Sequence, residues 1–393
     1  MNRKELEYHM KEGGSLMLSG EVLNGDYSGI ELKGGIFSKV DFSGCNLEAA
    51  RLTECIFIEC TFNASQAQAS HLRDCSFDAC RLEACLFTQA HWYDCNLINC
   101  TANNSRFDQA LLKNCSFIEL VAEQSNWNHS TLEECNFVES DCSASSFVEV
   151  KASDLSFVET CLVSSNWKGS SWDSMNFVES DLSKSLLEEI QGFRCNLIEC
   201  TFAESFFKNC QLGLMLFHTV DLKGINFSAT GLENPQFHAC ELNQCNFEKM
   251  NLAQSNFMGS QLYKSSFLKA NLVNANFIEA NASYCIFSQA SMDQALFIKS
   301  DLSYSEISQV TAIQAQFTEA NLAEACLAGS DLTYADFSHA LLKNTDFRDT
   351  RLHRANLHEI IDPGALWQGS SKSEALPTDP VRKKSEDHAT TKR

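Results

Sequence analysis

From Gly25 to about Ile360 every fifth residue of the chain is apolar, and the phase does not slip. With the centre of each five called i, the series opens Tyr27, Leu32, Phe37, Phe42, Leu47, Leu52, Phe57 and Phe62, and it still lands on Phe337, Leu342, Phe347, Leu352 and Leu357. That is roughly 67 units in unbroken succession. A second column two residues earlier is small: Cys55, Cys60, Ser65, Ser70, Cys75 and Cys80, later Ala270, Ala275, Ala280, Ala290 and Ala295. A helix of about 100° per residue turns successive centres through about 140° and scatters them around its surface. A flat strand alternates sides with period two and sends every other centre to the wrong face. Both objections vanish if i−2 and i point inward from a short extended leg and the next two residues turn a corner. Four corners close a coil of twenty residues whose backbone pairs with the coils above and below at ~4.8 Å.

Between the two columns the residue is often Asn or Asp, as in Ala270-Asn271-Leu272, Ala320-Asn321-Leu322 and Ser330-Asp331-Leu332. In this the chain resembles the pentapeptide-repeat family, whose unit reads small, Asp/Asn, Leu/Phe and two variable residues. The resemblance implies an all-β fold, a right-handed quadrilateral parallel β-helix, here of about 17 coils by repeat arithmetic. Residues 1–24 are expected to cap its start, 25–360 to form the solenoid, 361–371 to cap its end and 372–393 to be a disordered tail. Within the cap, residues 2–12 read as a helix with Leu6 and Met10 on one face and Gly13-Gly14 as its stop. Ala365-Leu366-Trp367 is expected to fold back over the last coil, and the tail carries Arg382-Lys383-Lys384 in a polar composition that buries little.

All but two of the 28 Phe sit at i, the exceptions being Phe193 and Phe206. Gly192 occupies a centre, so Phe193 is expected to turn inward and fill that layer. Pro235, at i−2, is expected to cost a ladder hydrogen bond.

Sixteen of the 19 cysteines lie in the inward column, and Cys55, Cys75, Cys95, Cys115 and Cys135 recur every twenty residues along one wall. Free Cys there is a small apolar filler; the competing reading, a thiol-based metal or redox protein, lacks CxxC spacing at the off-column Cys142, Cys161 and Cys326. Unpaired thiols favour a reducing compartment, and neither a signal-peptide core nor a membrane-length apolar run occurs, so a cytoplasmic location is expected. The histidines scatter outward, His218 and His238 stacking, and no nucleophile, phosphate loop or carboxylate pair completes a catalytic set. The chain reads as no enzyme, with no cofactor.

The net charge of −21 argues against sequence-independent nucleic-acid binding and against an anionic membrane surface, and it favours a basic partner. Sorting outward residues by twenties isolates one side. Its i+1 column is Ile98, Ile118, Val138, Val158, Val178 and Ile198, and its i+2 column is Glu119, Glu139, Glu159, Glu179 and Glu199. Stacked like charges repel and exposed aliphatics mark interaction surfaces; the bland alternative is that β-branched residues suit an outer strand and the Glu column records repeat duplication. The leading expectation is an acidic, rigid interaction scaffold that docks proteins with a basic or partly apolar face, including secretion-system (type VI) components. The alternative implied by the resemblance is a DNA-mimic inhibitor or protector of DNA gyrase or topoisomerase IV. The oligomeric state is left open.

Overall fold

In the computed structural model, residues 3–11 and 16–390 are described; Gly13-Gly14 lie outside them, as does the side chain of Met10. The chain divides into two compact units, 1–211 and 212–393.

In the first unit each twenty-residue coil has two kinds of leg. Two successive legs are three-residue strands, such as Arg51–Thr53 and Ile56–Ile58, and they pair in parallel with residues twenty further on, Leu52 with Leu72 and Phe57 with Phe77; near the end of the unit a third leg is also a strand, Leu186–Glu188 pairing with Phe206–Lys208. The next two legs pair through single bridges, Thr61 with Arg81 and Gln66 with Leu86. The second unit keeps three-residue strands at Leu216–His218, Gly231–Glu233 and Gln236–His238. From Glu241 onward every leg is a single bridge, Asn251 to Asn271 and Asn256 to Asn276 among them. The fold is thus a four-legged parallel β-solenoid, as the period requires. Counted by three-residue strands it makes about 11 turns rather than 17, because the later legs turn before a third residue can pair.

Asn and Asp at i−1 support many of those turns, although the Ile286, Leu296 and Leu341 legs turn without them and Asn136 and Asn176 stand in strand legs. In the turns they support, the Asn or Asp side-chain oxygen accepts the i+1 amide, as from Glu248 to Asn246, Ile278 to Asn276 and Ser303 to Asp301, each at 3.0 Å. Such Asx turns reproduce a backbone turn locally. The leg closes with a one-to-four bond, for example Ala270 N–H to the Phe267 carbonyl at 3.0 Å. The i+2 residue at nearly every corner has positive φ, close to 50–60°, so its amide points along the axis to the next coil.

Inside, the centres stack ring on ring. Phe37 and Phe57 lie 4.9 Å apart and nearly parallel, while Phe42 meets Phe57 edge-on at 5.9 Å. In the second unit Phe247 stacks on Phe267 at 5.0 Å and meets Phe257 edge-on at 5.7 Å. Both geometries suit the aromatic quadrupole. At two of the tryptophans the neighbouring small column supplies an acceptor: Trp127 Nε1 donates to Ser125 Oγ at 2.7 Å and Trp167 Nε1 to Ser165 Oγ at 2.9 Å, whereas Trp92 and Trp172 Nε1 are buried without one among the described residues.

Three expectations are corrected. Phe193 does not turn inward; it is 45% exposed beneath the Arg194 guanidinium. The ladder neighbour of Gly192 is Trp172, which is buried and tilts against Phe177 at 5.3 Å. Pro235 costs no ladder bond, since Met215, the equivalent residue one coil earlier, donates no backbone hydrogen bond among the described residues. The expected disordered tail contains a helix, α2 (Pro380–Thr390). Asp379 caps it, accepting the Val381 and Arg382 amides at 2.8 and 3.2 Å, Pro380 occupies the first turn and Arg382 reaches Glu386 at 2.7 Å. These local bonds order a segment that buries little.

At the start, α1 (Arg3–Lys11) buries Leu6, and Arg3 donates to the Ser28 carbonyl at 2.8 Å. Near the end the five-residue step continues past Ile360 rather than folding back: Leu341 bridges Ile361, Asp346 bridges Leu366, and Trp367 stacks on Phe347 at 4.3 Å.

Candidate functional site: an aliphatic and acidic stripe

The six aliphatic residues form one unbroken ladder in the first unit. Ile98 pairs with Ile118, Ile118 with Val138, Val138 with Val158, Val158 with Val178 and Val178 with Ile198. Each is half-buried on the outside of a three-residue strand. Glu119, Glu139, Glu159, Glu179 and Glu199 stand exposed at the adjoining corner with φ between 49° and 53°. Their amides tie the corner to the stripe: Glu119 N–H donates to the Val138 carbonyl, Glu139 to Val158, Glu159 to Val178 and Glu179 to Ile198, each at 2.9 Å. No ion pair engages these five carboxylates among the described residues. The other flank is neutral, with Asn96, Ser116, Asn136, Ser156, Asn176 and Asn196, and Asn196 Nδ2 donates to Asn176 Oδ1 at 2.7 Å.

The inward column beneath the stripe does more than fill space. Ser140 Oγ donates to the Val138 carbonyl at 3.0 Å and accepts the Leu120 amide at 3.1 Å; Ser180 Oγ donates to the Val178 carbonyl at 2.9 Å and accepts the Thr160 amide at 3.1 Å. Cys100 and Cys200 approach the Ile98 and Ile198 carbonyls at 3.3 Å. On this side the i−2 amides make no turn bond, and a hydroxyl one coil further on satisfies those of Leu120 and Thr160. Reading the column by size alone missed this; the signal was its choice of Ser and Thr over Ala.

All 19 cysteines are free thiols, and only Cys161 and Cys326 are not fully buried. Burial pushes Cys85 up to about 11 and Cys245 up to about 12, away from thiolate chemistry, while hydrogen bonds from stacked thiols draw Cys75 and Cys115 down. His218 and His238 do stack, at 4.9 Å, with their Nδ1 atoms 3.0 Å apart.

One cluster escaped the sequence reading. In the second unit His339, His358 and Glu386 bring ligand-type atoms within 4.8 Å of one another. Glu386 Oε2 lies 3.0 Å from His358 Nε2 and 3.2 Å from His339 Nε2. His358 is 1% exposed, and its Nδ1 accepts the Asp379 backbone amide at 3.0 Å. That bond leaves the neutral ring its proton on Nε2, where it donates to Glu386, so His358 has no lone pair facing the cluster and the set does not suit a metal. Bonds from His358 and then Arg382 hold the Glu386 carboxyl down to about 2. The cluster is a clasp for α2. Ser338, beside His339 in sequence, donates to Asp336 rather than to an imidazole, so no hydroxyl nucleophile is primed there.

No helix among the described residues is long and apolar enough to cross a membrane. Family models for the pentapeptide repeat region match residues 35–110 and 190–267, and those for pentapeptide repeats match 275–311, 301–333 and 330–360. No curated protein matches the chain. Among solved structures, HetL, a pentapeptide repeat protein involved in heterocyst differentiation regulation from the cyanobacterium Nostoc sp. strain PCC 7120, is 17% identical over 65% of this chain and 91% of its own, with a TM-score of 0.23. A trypsin-treated form of QnrB1, a plasmid-mediated fluoroquinolone resistance protein, is 17% identical over 45% of this chain and 89% of its own, at 0.22. A pentapeptide repeat protein from the thylakoid lumen of Arabidopsis thaliana is 24% identical over 29% and 70%, at 0.15. With repeats matched along both units and the twenty-residue coil present in each, the chain belongs to the pentapeptide repeat family.

Proposed function

We propose that the protein is a non-enzymatic interaction scaffold that docks a partner protein on the Ile98–Ile198 stripe. The observation that carries this reading is the in-register aliphatic ladder edged by five unpaired carboxylates. Half-exposed aliphatics beside stacked like charges are unfavourable in isolation, and both terms turn favourable against a basic, partly apolar surface. The filled interior supports the absence of catalysis.

The test is capture from the native cell with immobilised full-length protein, compared with a Glu139→Lys, Glu159→Lys and Glu179→Lys variant of unchanged circular dichroism. A partner held by the first and lost by the second, at least tenfold, supports the scaffold; equal capture removes the stripe. The partner's identity then assigns the role. Secretion-spike components place the protein in a secretion system. Gyrase or topoisomerase IV, together with inhibition of supercoiling at micromolar protein, moves it to the DNA-mimic reading, for which the net charge of −21 is the supporting feature.

A further inference from the structure

The stripe has a fixed pitch, and pitch selects the conformation of whatever lies along it. Behind the aliphatic ladder the buried rings step by 4.4 Å from Phe117 to Phe137, 4.9 Å from Phe137 to Phe157 and 5.3 Å from Phe157 to Phe177, which averages to about 4.9 Å per coil, as parallel strands require. An α-helix returns a side chain to the same stripe every 3.5 residues on average, or about 5.3 Å. An extended chain returns one every second residue, or about 6.7 Å. Over the five coil steps from Ile98 to Ile198 a helix drifts about 2 Å out of register, within reach of a flexible Lys or Arg. A strand drifts about 9 Å over the same length, nearly two coils.

The columns across the face settle the pattern. Asn and Ser come first, then the aliphatics, then Glu at the corner, and no Lys or Arg stands at any outward position on these legs from Asn96 to Glu199. We propose that the stripe seats a basic amphipathic α-helix of the partner, lying parallel to the coil stack. Its apolar heptad positions cover Ile118, Val138, Val158 and Val178, and an adjoining row of Lys or Arg faces the Glu column. Five steps of about 4.9 Å correspond to about 16 helical residues. This rests on the scaffold reading above and adds to it the conformation and residue pattern of the partner.

The probe is a labelled 18-residue peptide with Leu at heptad positions a and d and Lys at e and g, titrated with the full-length protein by fluorescence anisotropy and followed by circular dichroism. Three controls accompany it: the same composition shuffled to destroy the heptad, a version with a central Pro, and the Glu139→Lys, Glu159→Lys and Glu179→Lys protein. The expected result is binding of the heptad peptide with a gain of helicity, at least tenfold weaker binding of the shuffled and Pro peptides, and loss on the variant protein. A Val138→Ser and Val158→Ser protein is expected to bind at least fivefold more weakly. Shuffled and Pro peptides that bind within twofold of the heptad peptide, yet fail on the Lys variant, overturn the helix while leaving the scaffold intact. A heptad peptide that ignores the native protein, or binds the Lys variant equally, overturns the proposal.

Discussion

The strand-legged sides of the first unit and the coils from Glu241 onward in the second have the same kind of interior and differ in their skin. Both stack aromatic centres about one coil apart, Phe137 on Phe157 at 4.9 Å and Phe257 on Phe277 at 4.8 Å. In the second unit, small residues such as Ala270, Ala275 and Ala280 donate their amides to the turn behind them at 3.0–3.1 Å. In the first unit the equivalent positions after strand legs are Cys95, Cys115, Leu155 and Met175, which make no such bond among the described residues. Side-chain size does not decide the difference, since Met250, Cys245 and Cys285 make the turn bond while Ser140 and Ser180 do not among the described residues. Where the bond is missing the leg stays extended and carries β-branched residues outward.

Four experiments bear on this contrast. Phe137→Ala and Phe277→Ala are each expected to lose about 3–5 kcal/mol in denaturant unfolding; a clear inequality would show that the interiors are not equivalent. Ser180→Ala removes the acceptor of the Thr160 amide and is expected to cost about 1–2 kcal/mol. For the second unit, the hydrogen bonds that hold Glu386 at about 2, against an ordinary value of 4.5, make α2 docking fully stable above about pH 4.5. That contribution is lost as pH falls through about 2. Amide protection across Pro380–Thr390 should follow this course, and Glu386→Gln should flatten it. Finally, native thiol labelling should reach Cys161 in the first unit and Cys326 in the second well before the others, which become reactive on unfolding; fast labelling of the Cys55–Cys135 wall would break the interior half of the comparison.

The interior was legible because a phase of five admits one arrangement of inward residues, and the stripe was legible because twenty residues return to the same side. The hydroxyl clamps at Ser140, Thr160 and Ser180 were not, since their partners are backbone groups one coil away that composition does not display. The α2 helix was hidden by a polar composition, although Asp379-Pro380 carries both a cap and a first-turn proline. The His339–His358–Glu386 clasp needed that helix, because its carboxylate comes from α2 and its histidines stand at different points of their legs. Phe193 misled because its ring lies outside under the Arg194 guanidinium, although its neighbour Gly192 leaves a centre without a side chain.

The twenty-residue register has an evolutionary reading. Adding or removing one whole coil lengthens or shortens the stripe and leaves all else in place, whereas inserting a single unit of five after Ser140 keeps every inward residue inward. The second edit carries Val158, Val178 and their glutamates about a quarter-turn round the stack, away from Ile118 and Val138. Such a chain can split one recognition surface into two by a change its core does not register.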